Sequence, residues 1–154
     1  MRVSIARGFA SLLLAWACLL ALSSTAAIAG QGSGFSADAS RIRQFFGLID
    51  RHRPVEAVAM MGPEMTAGPS QRAAWIRQFS AIAFITVRAI QPSRLGDGGT
   101  CRTYRVTLNV QLVQSRNRSP IPDYGWGPNP NLRWITLCPG NGASMHIASL
   151  ATGP

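Results

Sequence analysis

The first long apolar pattern in the chain has the period of a helix. Its apolar positions fall at i, i+3, i+4 and i+7, which places them on one stripe of a helical surface. Ser36 or Asp38 is suited to cap the start of this helix, and Pro54 ends or kinks it. The residues of the stripe are Ile42, Phe45, Phe46 and Ile49.

Two shorter helices are predicted between this helix and the part of the sequence that has the pattern of β-strands. One covers Val55 to Met61 and is ended by Gly62-Pro63. The other begins at Ser70, directly after Pro69, and carries three large apolar residues on one side. Those residues are Trp75, Ile76 and Phe79.

The second half of the chain has the composition and alternation of β-strands. Strands are predicted over Ala81 to Ile90, Cys101 to Val113, Leu132 to Cys138 and Ser144 to Leu150. The second of them alternates along its whole length between apolar and polar residues, so one face packs and the other is wet. The fold class is therefore α+β, with three N-terminal helices packed across a curved four-stranded antiparallel sheet.

The N-terminus has the three parts of an export signal. Arg2 and Arg7 precede an apolar run from Phe9 to Leu22, and Ala27-Ile28-Ala29 fits the small-x-small pattern of a cleavage site. The run is shorter than the roughly 20 residues that span a bilayer. We expect cleavage after Ala29 and a periplasmic or secreted location; a retained anchor helix is the alternative.

The predicted domain organisation depends on that signal. Residues 1–29 are the signal peptide, 30–35 a flexible Gly/Ser-rich lead-in, 36–150 one domain and 151–154 a tail. Removal of the signal leaves 125 residues, enough for a single core. No membrane span is then expected in the mature protein.

Two cysteines remain in the mature chain, and an even pair in an exported domain indicates a disulfide. If the strands that carry Cys101 and Cys138 form a hairpin, these two residues lie opposite each other. The same register pairs Thr103 with Thr136 on the outer face. A cross-strand bridge is compatible with that geometry.

The charge of the chain is strongly positive and is carried by arginine alone. The whole sequence has a net charge of +9, and loss of Arg2 and Arg7 with the signal leaves +7. An excess of this size favours anionic partners, which include nucleic acid, lipid headgroups, cell-wall polymer and acidic protein faces. A solvated basic surface is the alternative, and the export signal argues against nucleic acid.

The order of elements resembles that of the nuclear transport factor 2-like (cystatin-like cone) superfamily. The resemblance spans about residues 36–150 and is closest to exported bacterial members without an assigned function. Four features carry it, in chain order: the helix stripe Ile42-x-x-Phe45-Phe46-x-x-Ile49-Asp50, the short helix after it, the strand Tyr104-Arg105-Val106-Thr107-Leu108, and the two C-terminal strands with Arg133-Trp134-Ile135 and His146-Ile147-Ala148-Ser149-Leu150.

The resemblance implies a cone-like sheet around a pocket that the helices close, and a possible homodimer through the open sheet face. Some members of that superfamily are isomerases, dehydratases or cyclases, and many others bind ligands or proteins without chemistry. No catalytic pattern carries over to this chain residue by residue. The expectation is a non-enzymatic binding or scaffold domain for a protein or a small anionic ligand; the alternative is a small pocket enzyme of the isomerase or dehydratase type.

Candidates for acid–base chemistry are Asp50, Tyr104 and His146, because each lies on an element that can face such a pocket. The alternative makes Asp50 a solvated residue at a helix end, Tyr104 a core residue with a satisfied hydroxyl, and His146 a surface residue. No nucleotide-binding, serine-hydrolase or zinc-hydrolase motif occurs in the sequence. We expect neither a metal site nor a cofactor.

The proline-rich stretch from Ser115 to Asn131 is the candidate recognition loop. Arginine and exposed aromatic residues dominate binding energies at interfaces. In the alternative, the stretch is an ordinary hairpin connection whose aromatic residues fold back on the sheet. The candidate binding residues are Arg116, Arg118, Tyr124 and Trp126.

Overall fold

The computed structural model describes residues 26–94, 99–113, 125–127, 129–142 and 144–153, with side chains described from residue 34 onward. The chain divides between Ala37 and Asp38 into two compact units. The first helix begins in the first unit, and the remaining helices and all four strands belong to the second.

Within the part of the chain that the structure describes, four helices precede the sheet, where the sequence predicts three. They are α1 (Ala26–Asp50), α2 (Pro54–Ala59), α3 (Pro63–Thr66) and α4 (Pro69–Ser80). The additional helix is α3, which begins at a proline that the sequence pattern assigns only to the end of its predecessor. Proline suits the first turn of a helix, where its missing N–H has no partner to lose, and α2, α3 and α4 all begin this way.

The first helix begins earlier in the chain than the sequence pattern predicts. Residues 30–35 belong to α1, which starts before them at Ala26. Asp38 is correspondingly twelve residues inside the helix and does not cap its start, contrary to the expectation from the sequence.

The four predicted strands are confirmed, in an open antiparallel meander. They are β1 (Ile82–Ser93), β2 (Arg102–Leu112), β3 (Asn131–Pro139) and β4 (Met145–Ala151), and neighbours along the chain are neighbours in the sheet. The β2–β3 register pairs Thr103 with Thr136, as predicted from the cysteines.

The predicted disulfide between Cys101 and Cys138 is present. The two Cα atoms lie 4.2 Å apart, across the open end of the β2–β3 hairpin. The threonine pair two positions further along is also bonded, because the Thr103 and Thr136 hydroxyl oxygens lie 3.0 Å apart. Covalent and polar cross-strand contacts therefore fix the same register on the outer face.

The core lies between the helices and one face of the sheet. The whole apolar stripe of α1 is at most 1% exposed, and so are Phe79 of α4 and the β2 residues Val106 and Leu108. Alternation leaves the opposite face of β2 more open, with Arg105 and Gln111 exposed. The period-2 pattern thus assigns the two faces of this strand correctly.

Both edges of the sheet are covered in part by groups from the helical region. At β4, Ile147 donates its N–H to the Met60 carbonyl at 3.0 Å and accepts from Gly62 at 2.9 Å. At β1, the Asp50 carboxylate accepts the Ile85 N–H at 3.0 Å. Such contacts occupy backbone groups that would otherwise be free to pair with another chain.

Candidate functional site

The most concentrated polar group in the second unit is a cluster of Asp38, Arg102 and Tyr104. Asp38 lies on α1 and is 2% exposed. Arg102 donates to both of its carboxylate oxygens, from Nε at 2.5 Å and from Nη2 at 2.9 Å, and the Tyr104 hydroxyl donates a third hydrogen bond. The hydrogen bonds from Arg102 and Tyr104 replace the water contacts that the carboxylate loses on burial, so its charge can be kept inside the fold.

The charge states of this cluster are set by its contacts. Burial raises the pKa of Asp38, but the hydrogen bonds from Arg102 and Tyr104 and the positive charge of Arg102 outweigh burial and leave that pKa below its usual value. Burial and the hydrogen bond to Asp38 raise the pKa of Tyr104 to about 12. The cluster therefore holds an ionised carboxylate, a guanidinium and a neutral phenol, which favours a structural link over proton transfer near neutral pH.

The sequence carries a signal for this cluster in the positions of its polar residues along the helix stripe and the strand. Asp38 precedes Ile42 by four residues, so it continues the buried stripe of α1 by one turn. Arg102 and Tyr104 are two residues apart on one strand and share the face that packs. A charged residue in register with an apolar stripe indicates a buried ion pair, provided that an opposite charge lies on a facing strand.

The three predicted acid–base residues do not converge. Tyr104 bonds to Asp38, whereas Asp50 lies twelve residues along the same helix, which corresponds to roughly 18 Å. Asp50 is used at the sheet edge, where it accepts the Ile85 N–H. It also lines a cavity of about 240 Å³ between α1 and β1, together with Arg43.

His146 contacts a third part of the fold. Its Nε2 lies 2.8 Å from Oε1 of Glu64, which ties β4 to α3. Within the sheet, His146 pairs with Cys138, close to the disulfide, while Tyr104 pairs with Ile135 further along β3. Each of the three candidates thus has its own structural partner in a different part of the fold.

The candidate recognition loop is described only in part. Arg116, Arg118 and Tyr124 lie outside the described residues. Trp126 is 1% exposed, and its ring lies 6.3 Å from that of Phe79. An interface hot spot has to be accessible to a partner, so at Trp126 the expected exposure is wrong and the alternative, an aromatic residue folded back on the sheet, is correct.

Trp126 covers a second buried charge, Arg133 on β3. The Arg133 guanidinium carbon lies 4.2 Å from the centroid of the indole, and its Nη2 donates to the Gly125 carbonyl at 2.6 Å. Asn131 donates to the same carbonyl at 3.0 Å. Gly125 has a φ of 74°, which only glycine adopts without strain, so the turn that aims this carbonyl requires glycine here.

Neither a group of metal-binding side chains nor a helix able to span a membrane is found within the described residues. Among them, no group of three or more His, Cys, Asp or Glu residues is placed to hold a metal ion. No helix in the same ranges is long and apolar enough to cross a membrane.

No family model, curated protein or solved structure matches the chain. The likeness to the nuclear transport factor 2-like superfamily therefore stays a prediction from element order and apolar pattern.

Proposed function

We propose that the protein is an exported, non-catalytic binding domain for an anionic partner of the cell envelope, either a protein or a small ligand. The observation that carries the proposal is an imbalance in how the charged residues are used. The acids of the described chain are engaged within the domain, whereas most of its exposed arginines are not.

The acidic side of this imbalance consists of four described residues. Asp38 binds Arg102, and Asp50 accepts a backbone N–H. Glu56 pairs with Arg53, and Glu64 pairs with His146. Each of these carboxylates has a partner within the domain, and two of them, Asp38 and Glu56, are paired with an arginine.

The exposed arginines of the described chain outnumber its acidic residues. Six exposed arginines have no ion pair or hydrogen bond to another side chain within the described ranges, and we call them the unpaired arginines. Guanidinium groups without an internal partner are available to carboxylates and phosphates from outside, which they bind through paired N–H donors. The unpaired arginines are Arg43, Arg51, Arg72, Arg77, Arg88 and Arg94.

Binding is favoured over the alternative, a pocket enzyme of the isomerase or dehydratase type, by the separation of the acid–base candidates. Such chemistry needs a proton donor and a proton acceptor within reach of one substrate atom. Asp50, Tyr104 and His146 instead bond to three different parts of the fold.

Export is supported by the N-terminal pattern and by the disulfide. A bonded Cys101–Cys138 pair is typical of proteins that mature in an oxidising compartment. The cone-like superfamily remains part of the proposal, since an α+β chain of helices followed by an antiparallel meander fits it.

The proposal is tested by native mass spectrometry of the protein purified from its own envelope fraction. We expect a non-covalent anionic ligand or partner that dissociates as the ionic strength rises, because charge pairing at a surface is screened by salt. A protein that retains no anionic species at low ionic strength, and captures none from the envelope extract, would contradict the proposal.

A further inference from the structure

A groove lies among the three short helices α2, α3 and α4. One cavity of about 350 Å³ is lined by Val55, Val58, Ala59, Met61, Thr66 and Arg72. A second cavity, of about 280 Å³, shares Thr66 and Arg72 with the first and extends to Ile76. We call the two together the Arg72 groove.

The walls of this groove are apolar. Val55 is 63% exposed, the largest fraction among the exposed large apolar residues of the described chain, although it stands at the start of a helix whose next turn is buried. Thr66 contributes little polarity, because its hydroxyl already donates to the Gly62 carbonyl at 2.9 Å. A concave surface with a mostly apolar lining is the usual form of a small-ligand site.

Arg72 supplies the single charge of the lining. It is one of the unpaired arginines, and the two nearest acids in the sequence, Glu56 and Glu64, are held by Arg53 and His146. The groove thus combines an apolar wall with one guanidinium that nothing in the described chain neutralises. Its size falls in the range of small-ligand sites, roughly 300–1,000 Å³.

We propose that the Arg72 groove binds an amphipathic monoanion, whose apolar chain lies along the Val55–Met61 wall and whose carboxylate or phosphate pairs with Arg72. The inference rests on the proposed function and gives the chemical class of its ligand. One arginine favours a single anionic group, and the apolar wall favours a hydrocarbon chain over a sugar or a polyanion.

Isothermal titration calorimetry of the protein with dodecanoate tests this directly. Two analogues separate the contribution of the hydrocarbon chain to affinity from that of the charge. Dodecanol has the chain without the charge, and butyrate has the charge with a short chain. We expect saturable binding of dodecanoate and at least about tenfold weaker binding of both analogues. Arg72→Gln should weaken dodecanoate binding by about tenfold or more, because it removes a charge-assisted hydrogen bond.

Arg105→Gln is the matched control, since Arg105 is also exposed but bonds to Gln91 and lines neither cavity. It should leave dodecanoate binding unchanged. Ala59→Phe fills the groove from an exposed position and should abolish binding while the melting temperature is retained.

Two results would overturn the inference. One is the absence of saturable dodecanoate binding. The other is an equal loss of affinity in Arg72→Gln and Arg105→Gln, which would show that affinity follows the net charge of the protein and not the groove. If dodecanoate does not bind and the protein still captures an anionic partner from the envelope extract, this inference fails and the proposed function stands. Loss of a captured acidic peptide in Arg72→Gln, with dodecanoate unbound, would instead assign the groove to a protein partner.

Discussion

The Tyr104 hydroxyl donates a hydrogen bond to the buried Asp38 carboxylate and so joins β2 to α1. Arg102, on the same strand, holds the other side of that carboxylate. Asp38 and Tyr104 are buried, whereas the Arg102 side chain is 48% exposed, so the loss of each group should have a different effect.

Removal of Arg102 should destabilise the protein more than removal of the Asp38 charge. Arg102→Met leaves a 2%-exposed carboxylate without its counter-ion, which costs about 3 kcal/mol or more. Asp38→Asn leaves a guanidinium whose side chain is 48% exposed and can be solvated, so a cost of about 1–2 kcal/mol is expected. Urea unfolding of the two variants measures both.

The double variant completes this cycle. Arg102→Met together with Asp38→Asn should be less destabilised than the sum of the single changes, because no buried charge then lacks a partner. Strict additivity of the two unfolding free-energy changes, or a larger cost for Asp38→Asn than for Arg102→Met, would contradict a stabilising ion pair between Asp38 and Arg102.

Stability should fall in alkali through Tyr104. Its pKa is raised from 10.0 to about 12 in the folded protein, so the folded state binds this proton more tightly than the unfolded state does. The resulting stabilisation is fully present below pH 10 and is lost as the pH rises toward 12. Unfolding free energies measured across this window should decline in the native protein, and the decline should be smaller in Tyr104→Phe. An identical pH profile for the two proteins would show that Tyr104 does not hold this proton.

Trp126 should contribute to the core rather than to partner binding. Trp126→Ala should lower the unfolding free energy by about 3–5 kcal/mol, because the indole is 1% exposed between Phe79 and Arg133. Trp134→Ala, at a partly exposed position of β3, is the control and should cost clearly less. Similar melting temperatures for Trp126→Ala and the native protein, with loss of partner capture, would restore the recognition role to this residue.

The strands and their register can be predicted because two independent signals agree. Alternation along β2 identifies its packed face, and the position of Cys101 opposite Cys138 fixes the hairpin pairing that places Thr103 against Thr136. A one-residue slip would move every side chain to the wrong face, and the cysteine pair excludes a slip of two residues, so the two signals together leave a single register.

The candidate site cannot be predicted in the same way, because its contacts join residues far apart in the chain. Asp38 and Tyr104 are 66 residues apart, and the sequence around either residue does not identify the other as its hydrogen-bond partner. A polar residue near a helix start fits the capping rule, so the sequence alone favours a cap at Asp38. The short helix α3 is not predicted, since the pattern takes Gly62-Pro63 only as the end of the preceding helix, which in the structure ends earlier, at Ala59.

The central claim is that the unpaired arginines bind an anionic partner, and two charge-matched variants test it most directly. Arg72→Gln/Arg88→Gln removes two unpaired arginines, whereas Arg53→Gln/Arg105→Gln removes two that already bond to Glu56 and Gln91. Both variants lose two positive charges. Capture of anionic partners from the envelope extract at low ionic strength should fall strongly for the first variant and stay close to native for the second. Equal capture by the two variants would contradict the claim.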